Sequence, residues 1–306
     1  MTDNNSQNGK IIPYLWFDDQ AEEAIDFYVS AFNDARVGHL TRYGEAGPGP
    51  EGSVMIATFE VEGQPFMALN GGPQFKFTPA ISFFINYATE EALDAVWQKL
   101  AEGGTELVPL GKYPFSDKFG WIQDKYGLTW QLHLAGEDYE GQKVMPFLLF
   151  AGEHHGKAAE AVDLYTSLFG DSNILTMLRY GAADEEQGEV EGTVQHARFA
   201  LNGQEFMAMD SNKAHDFIFT EAISLYVNCE TQEEVDAYWD ALTDGGEEQP
   251  CGWLKDKYGV SWQIIPRRLG ELMQDEDPQR AQRVTEAMLQ MTKIDIAALE
   301  RAYEQG

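Results

Sequence analysis

Histidine and cysteine carry most of the reactive chemistry a chain can offer at neutral pH, and here both are sparse. Six histidines occur in 306 residues. His154 and His155 are adjacent and follow Glu153, in a stretch that reads as an inserted loop. His39 and His133 stand alone, and His215 sits among polar residues. His196 is different, because Arg198 follows two residues later in a run of strand character. Alternation places both on the face opposite Ala197, Phe199 and Leu201; a His/Arg pair there suits an anionic ligand where that face lines a cavity, and is otherwise solvent-exposed. Cys251 has no histidine in a fixed relation to it, and no G-x-S-x-G is present, so nucleophilic catalysis finds no motif. Gly47, Gly49 and Gly52 spell G-x-G-x-x-G, but Pro48 and Pro50 interrupt it and no helix follows. The spacing predicts a hairpin loop rather than a nucleotide-binding turn, which argues against a Rossmann-type S-adenosylmethionine site. What remains is aromatic and amide chemistry on predicted strands: Trp16, Tyr43, Phe83, Trp121, Trp130 and Gln131. Tyr180, Leu225, Trp253, Trp262 and Gln263 recur later, and Arg42 recurs as Arg179. Such a set lines a cavity for a small, partly apolar molecule, or else its tryptophans fill the core beneath a sheet.

These residues recur because the sequence repeats itself. Phe27–Phe32 returns as Leu164–Phe169, and Arg42-Tyr43-Gly44 as Arg179-Tyr180-Gly181. EGSVMIATFEVEGQPFMALN from Glu51 returns as EGTVQHARFALNGQEFMAMD from Glu191. TPAISFFIN from Thr78 returns as TEAISLYVN from Thr220, and GWIQDKYGLTWQ from Gly120 as GWLKDKYGVSWQ from Gly252. The copies span 11–134 and 144–266, joined by a polar linker, 135–143, and followed by a tail, 267–306. The second copy gains an insertion, 152–157, and lacks the counterpart of 107–119.

Within a copy, Pro13–Phe17 reads as a strand, and Asp18 and Asp19 offer an N-cap. Ala24, Phe27, Tyr28 and Ala31 then fall at helical spacing. Strand-like runs follow at 35–43, 53–62 and 65–70, with Met55, Ala57, Phe59 and Val61 sharing one face. The pattern then restarts: a strand at 80–86, a helix capped by Thr89 and stopped at Gly103-Gly104, and three more strands ending at 128–134. Thr231 with Glu234 forms the matching capping box in the second copy. Trp97 and Trp239 fall on helices and are expected to pack. In the tail, Val284, Ala287, Met288 and Met291 make one helical stripe, and Asp295 caps a last helix. That stripe is expected to dock on a domain or on a second chain.

Fifty-one acidic residues against 21 basic give a net charge of −30. So acidic a surface repels phosphate, which excludes nucleic acid and anionic membranes as natural partners. No apolar run approaches the roughly 18 residues of a membrane helix. The polar start, 1–10, does not read as a signal peptide, and two cysteines outside any C-x-x-C make a reducing cytoplasm the expected compartment.

The blocks FDDQAEEAIDFY, TRYGE, DKYGLTWQ and RVTEAMLQMTKIDIAALERAY resemble the PhnB-like branch of the glyoxalase/bleomycin-resistance (vicinal oxygen chelate) superfamily, over about Ile11 to Tyr303. Members of that branch often carry the label 3-demethylubiquinone-9 methyltransferase. The resemblance implies an α+β fold: two tandem glyoxalase-like domains, each of two βαβββ modules closing a curved sheet around a cup, plus C-terminal helices. It also implies three places where metal-using members put ligands. These fall near Pro13, Ala80 and Gln131 in the first copy, and near Pro146, Ala222 and Gln263 in the second. Proline and alanine cannot bind a metal and glutamine alone is a poor ligand, so no metal and no cofactor are expected. The resulting expectation is a metal-free protein binding a small organic molecule. The alternatives are an enzyme with a recruited metal site and a protein-interaction module. Divergence at His196, Arg198 and the loop after Gly246 predicts one working cup, the first, covered by 107–119. Two copies in one chain can satisfy internally the pairing that single-domain relatives make between chains, with a homodimer as the other arrangement.

Overall fold

A computed structural model describes residues 11–43, 50–275 and 277–305. The G-x-G-x-x-G reading therefore lies mostly outside the described residues, as do the glycine and glutamate of TRYGE. The chain divides into two compact units: Pro13–Ile223, and the stretch from Ser224 onward together with Ile11 and Ile12.

The first repeat runs β1 (Ile11–Phe17), α1 (Ala21–Ala31), β2 (Ala35–Arg42), β3 (Val54–Val61), β4 (Gln64–Asn70), then β5 (Ile81–Tyr87), α2 (Glu90–Leu100), β6 (Thr105–Tyr113), β7 (Ser116–Gln123), β8 (Thr129–Leu134). The second repeat opens with β9 (Val144–Phe150), α3 (Ala158–Leu168), β10 (Asn173–Arg179), β11 (Val194–Leu201) and β12 (Gln204–Asp210). Each series is strand–helix–three strands, as the sequence predicts.

The modules of one repeat do not simply close on each other. β5 pairs antiparallel with β9, Ile81 opposite Leu148 and Ile85 opposite Val144. The result is one eight-stranded mixed sheet, in the order β10-β11-β12-β9-β5-β8-β7-β6, made half from each repeat. β9 reads VMPFLLF and all seven residues are buried. A strand apolar on both faces must be covered on both and paired on both edges, and its central place satisfies that demand.

Behind this sheet, α1 and β3–β5 enclose an aromatic core. Phe66 meets Phe83 edge-on at 4.8 Å, Phe59 stacks on Phe66 at 5.1 Å, and Tyr28 meets Trp130 at 5.4 Å. Asp124 anchors it. Its Oδ1 accepts from the backbone N–H groups of Tyr126 and Leu128, and its Oδ2 accepts from Tyr28 Oη and Trp130 Nε1, both at 2.9 Å. The DKYG-x-x-W block is thus a turn whose carboxylate holds a buried tryptophan. Asp256 repeats it with Tyr258, Val260 and Trp262.

Helix α1 is not capped by Asp18 or Asp19. Its first N–H, on Ala21, donates instead to Asn70 Oδ1 at the end of β4, 2.8 Å away. Asp210, the equivalent residue of β12, receives Gly156 and Ala158 in the same way. The cap is supplied across the fold by a strand end, which no local motif reveals. The caps at Thr89, Thr231 and Asp295 are local and form as expected.

The second unit contains β13 (Ile223–Cys229), α4 (Gln232–Thr243), β14 (Glu247–Glu248), β15 (Trp253–Lys255) and β16 (Ser261–Pro266), in sheet order β14-β15-β16-β13. Where the first repeat carries the long hairpin β6–β7, this one keeps two short strands. The tail folds as α5 (Arg267–Met273), α6 (Pro278–Met288) and α7 (Ile296–Glu304). Val284, Ile294 and Leu299 are fully buried against Ile265, Leu269 and Leu272, with Met288 and Met291 at the margin, so the methionine stripe docks on its own unit. Among the described residues no helix is long and apolar enough to cross a membrane.

Candidate functional site

The face of the eight-stranded sheet turned away from the aromatic core is the candidate site. Register fixes its membership. Phe147 of β9 lies opposite Ser82 of β5 and Met207 of β12, and Arg198 of β11 lies opposite Met207. On the other side Phe84 pairs with Gln131 of β8, and Gln131 with Trp121 of β7. Alternation adds His196, Glu205, Met145, Leu149, Asn86 and His133 to the same face. At about 4.8 Å per strand, Arg198 and Trp121 stand some five strands, or about 24 Å, apart along the sheet.

Between them lies a floor of sulfur and aromatic groups. Met145, Phe147, Leu149 and Met207 are buried there, with Phe84, Trp121, Met209 and Phe217 packed around them. At one wall the Trp121 Nε1 donor is buried with no hydrogen-bond partner. A buried indole N–H is normally satisfied, and a water or another acceptor can meet this one. Beside it Gln131 donates to Ser82 Oγ at 2.8 Å. At the other wall Arg198 donates to Glu205 through Nε (3.0 Å) and Nη2 (2.5 Å), both to the same carboxylate oxygen. Burial, and then the neighbouring Arg198 charge, pushes the His196 imidazole below its ordinary pKa, so it is neutral at pH 7.

The linker ties the walls together. Gln142 accepts from the Glu205 N–H at 2.9 Å and donates to the carbonyls of Val144 and Glu205. Tyr139 Oη donates to the Gln142 carbonyl and accepts from Asn86, whose Oδ1 meets His133 Nδ1 at 2.9 Å. Burial also lowers the His133 pKa.

The sequence-derived candidates separate into groups. Trp121, Gln131, His196 and Arg198 share this one face, although they come from different repeats. Phe83 and Trp130 are fully buried and belong to the aromatic core on the opposite face, because β5 and β8 alternate. Trp16 lies on β1, its Nε1 donating to the Gly72 carbonyl at 2.8 Å and its ring meeting Phe75 edge-on. A Cβ on Gly71 would fall 2.2 Å from that ring, which is why glycine stands there. Arg42 pairs with Glu22 and the Gly52 carbonyl, and Arg179 with the Gly192 carbonyl, so both brace hairpins. Tyr43 donates to the Asn70 carbonyl at 2.8 Å. Tyr180 is buried, which together with nearby Glu189, Asp184 and Asp210 pushes its phenol up to about 12. Gln263 belongs to the second unit, where it donates to Ser224 Oγ at 2.9 Å just as Gln131 does to Ser82.

Residue-by-residue reading missed Met145, Phe147, Met207 and Glu205. One signal for Glu205 was present: the second copy replaces Thr58 by Arg198 and Pro65 by Glu205. Two opposite charges arriving together at diagonal positions across a hairpin announce a pair.

The metal positions implied by the resemblance can be placed on this face. Pro146 lies opposite Phe83 on the core side, so the facing residue of β9 is Phe147, and the facing residue of β5 is Ser82. With Gln131, the donor set is an amide and a hydroxyl already bonded to each other and a phenyl ring, while the Glu205 carboxylate is held by Arg198. These residues do not fit a divalent metal. His154 has Glu153 at 3.9 Å, and among the described residues no three His, Cys, Asp or Glu side chains are grouped for a metal.

Comparison with known proteins agrees with the repeat and the fold. The family model described as 3-demethylubiquinone-9 3-methyltransferase matches residues 9–133 and again 142–265. A PhnB protein of Bacillus cereus, described as a putative 3-demethylubiquinone-9 3-methyltransferase, is 50% identical over 41% of this chain and 99% of its own, with a TM-score of 0.40. Uncharacterized proteins of Mycobacterium bovis and Mycobacterium tuberculosis are 30% identical over 39% of this chain and 79% and 71% of theirs. Glyoxalase I of Zea mays, at 11% identity, covers 84% of this chain and 92% of its own with a TM-score of 0.55, a likeness of fold. The chain therefore belongs to the 3-demethylubiquinone-9 3-methyltransferase family, with the family's domain present twice in tandem.

Proposed function

We propose that the face built from β5, β7–β9, β11 and β12 binds a small, partly apolar organic molecule without a metal, and that the protein acts by holding that molecule in a reducing cytoplasm. The observation that carries this reading is the unpartnered Trp121 Nε1 beside a floor of methionine and aromatic side chains. Polarizable, flexible methionines and flat rings accommodate an apolar body, and the lone indole N–H orients it. Cys229 and Cys251 are free thiols, in keeping with a reducing compartment.

The test is titration of the full chain with phenylnaphthylamine, a neutral apolar fluorophore. Saturable binding of one dye per chain, weakened at least tenfold by Met207→Asp and by Phe147→Asp, supports the site. Non-saturable binding indifferent to both changes rejects it. Stabilisation by several degrees in micromolar Zn²⁺, Ni²⁺ or Mn²⁺ would reject the metal-free part and restore the enzymatic alternative.

A further inference from the structure

One cation borders the site floor, and its hydrogen-bonding capacity is only partly used. Of the five N–H bonds of the Arg198 guanidinium, Glu205 takes two, through Nε and Nη2. The remaining three have no partner among the described residues, and the Arg198 side chain is one-third exposed. Trp121 Nε1 at the far wall is a donor without an acceptor. Both Arg198 bonds fall on one oxygen of Glu205, whose chain segment is clamped from both sides by the linker residue Gln142. The face thus offers spare donors at both walls, and only those of Arg198 carry a positive charge.

From this census we infer that the ligand of the site is an organic acid, an apolar body whose carboxylate or sulfonate end is received by Arg198. The inference rests on the binding reading above and names the chemical class that the site selects. The acidic surface does not forbid it. Distant carboxylates are screened over a Debye length of about 8 Å at physiological ionic strength, whereas the Arg198 N–H groups would touch the oxyanion directly. Glu205 fixes the guanidinium in place and leaves its outer edge presented, an arrangement in which little side-chain freedom is left to lose on binding. Neutral His196, next but one on the same strand face, adds no competing negative charge. The first repeat has Thr58 and Pro65 at the positions of Arg198 and Glu205, so this recognition belongs to one of the two equivalent hairpins.

Two dyes with one ring system separate this claim from the binding reading. Anilinonaphthalene sulfonate differs from phenylnaphthylamine by its sulfonate. The full chain should bind the sulfonate at least tenfold more tightly. That ratio should fall to about one in the double variant Arg198→Thr with Glu205→Gln, which removes both charges and keeps the Glu205 N–H bond to Gln142. Arg36→Gln, an exposed arginine of β2, should leave the ratio intact. Equal affinity for both dyes, or a preference that survives the double variant, would overturn the organic-acid inference while leaving the site. Failure of both dyes to bind would overturn the site itself.

Discussion

Replacing Asp124 by asparagine isolates a single atom of the scaffold. The side chain is 3% exposed and takes four hydrogen bonds. Asparagine keeps Oδ1 for the two backbone donors but turns an NH₂ toward Tyr28 and Trp130. The tyrosine hydroxyl can rotate and accept, whereas the indole N–H can only donate. One buried donor is left orphaned, at a cost of about 1–3 kcal/mol, and a charge-assisted bond becomes a neutral one. Burial raises the Asp124 pKa, so removing the charge returns part of that loss. The expected net effect is about 2 kcal/mol, or roughly 4–8 °C in Tm for a unit of this size. Asp124→Ala, which abandons all four donors, should cost at least about 4 kcal/mol. Urea unfolding followed by tryptophan fluorescence, with unchanged m-value, gives both numbers. If Asp124→Asn shifts stability by less than 0.5 kcal/mol, or Asp124→Ala is no worse than Asp124→Asn, the account of DKYG as a scaffold turn fails. Neither change should alter the preference between the two dyes, since Asp124 lies behind the sheet.

Lys143 of the linker pairs with Glu62, whose side chain is fully buried. Lys143→Met should destabilise by about 2–3 kcal/mol by stranding that carboxylate, and Lys143→Met with Glu62→Gln should recover most of the loss in the same urea assay. His133, His196 and His215 all have pKa values lowered by burial below the ordinary 6.5. Folding holds them neutral, so their contribution is intact above about pH 6.5 and is lost as the unfolded chain takes up protons below it. Stability should therefore fall between pH 6.5 and 5, and His133→Gln with His196→Gln should flatten that slope; an unchanged slope would exclude them as its source. In the second unit, Leu299→Ala removes a fully buried side chain of α7 and should cost about 2–5 kcal/mol, read as a lowered Tm.

Most of the fold is legible because its determinants are local. The repeat, the strand–helix–three-strand order, the glycine stop at Gly103-Gly104 and the cap at Thr89 each depend on residues close in sequence. The cap of α1 is not legible, because Asn70 comes from a strand some fifty residues away. The site was half legible for a similar reason. Alternation placed His196 and Arg198 on the non-core face of their strand. Nothing local says that this strand lies in one sheet with Trp121 and Gln131 of the other repeat. The aromatic set was over-read, because a strand shows that Phe83 and Phe84 face opposite ways but not which way is inward. The likeness between Asp124-x₅-Trp130 and Asp256-x₅-Trp262 reflects a shared turn rather than shared chemistry.

The seam between β5 and β9 has a bearing on how such a protein can change over time. After a duplication, two copies ordinarily drift apart, each free to lose what the other retains. Here each copy supplies half of one sheet, so a substitution in either is tested against residues encoded in the other. Arg198 with Glu205 in the later copy and Trp121 with Gln131 in the earlier one are therefore inherited as a unit. A recombination event at the linker would exchange half-sheets between relatives and create new pairings of β5 with β9 in a single step.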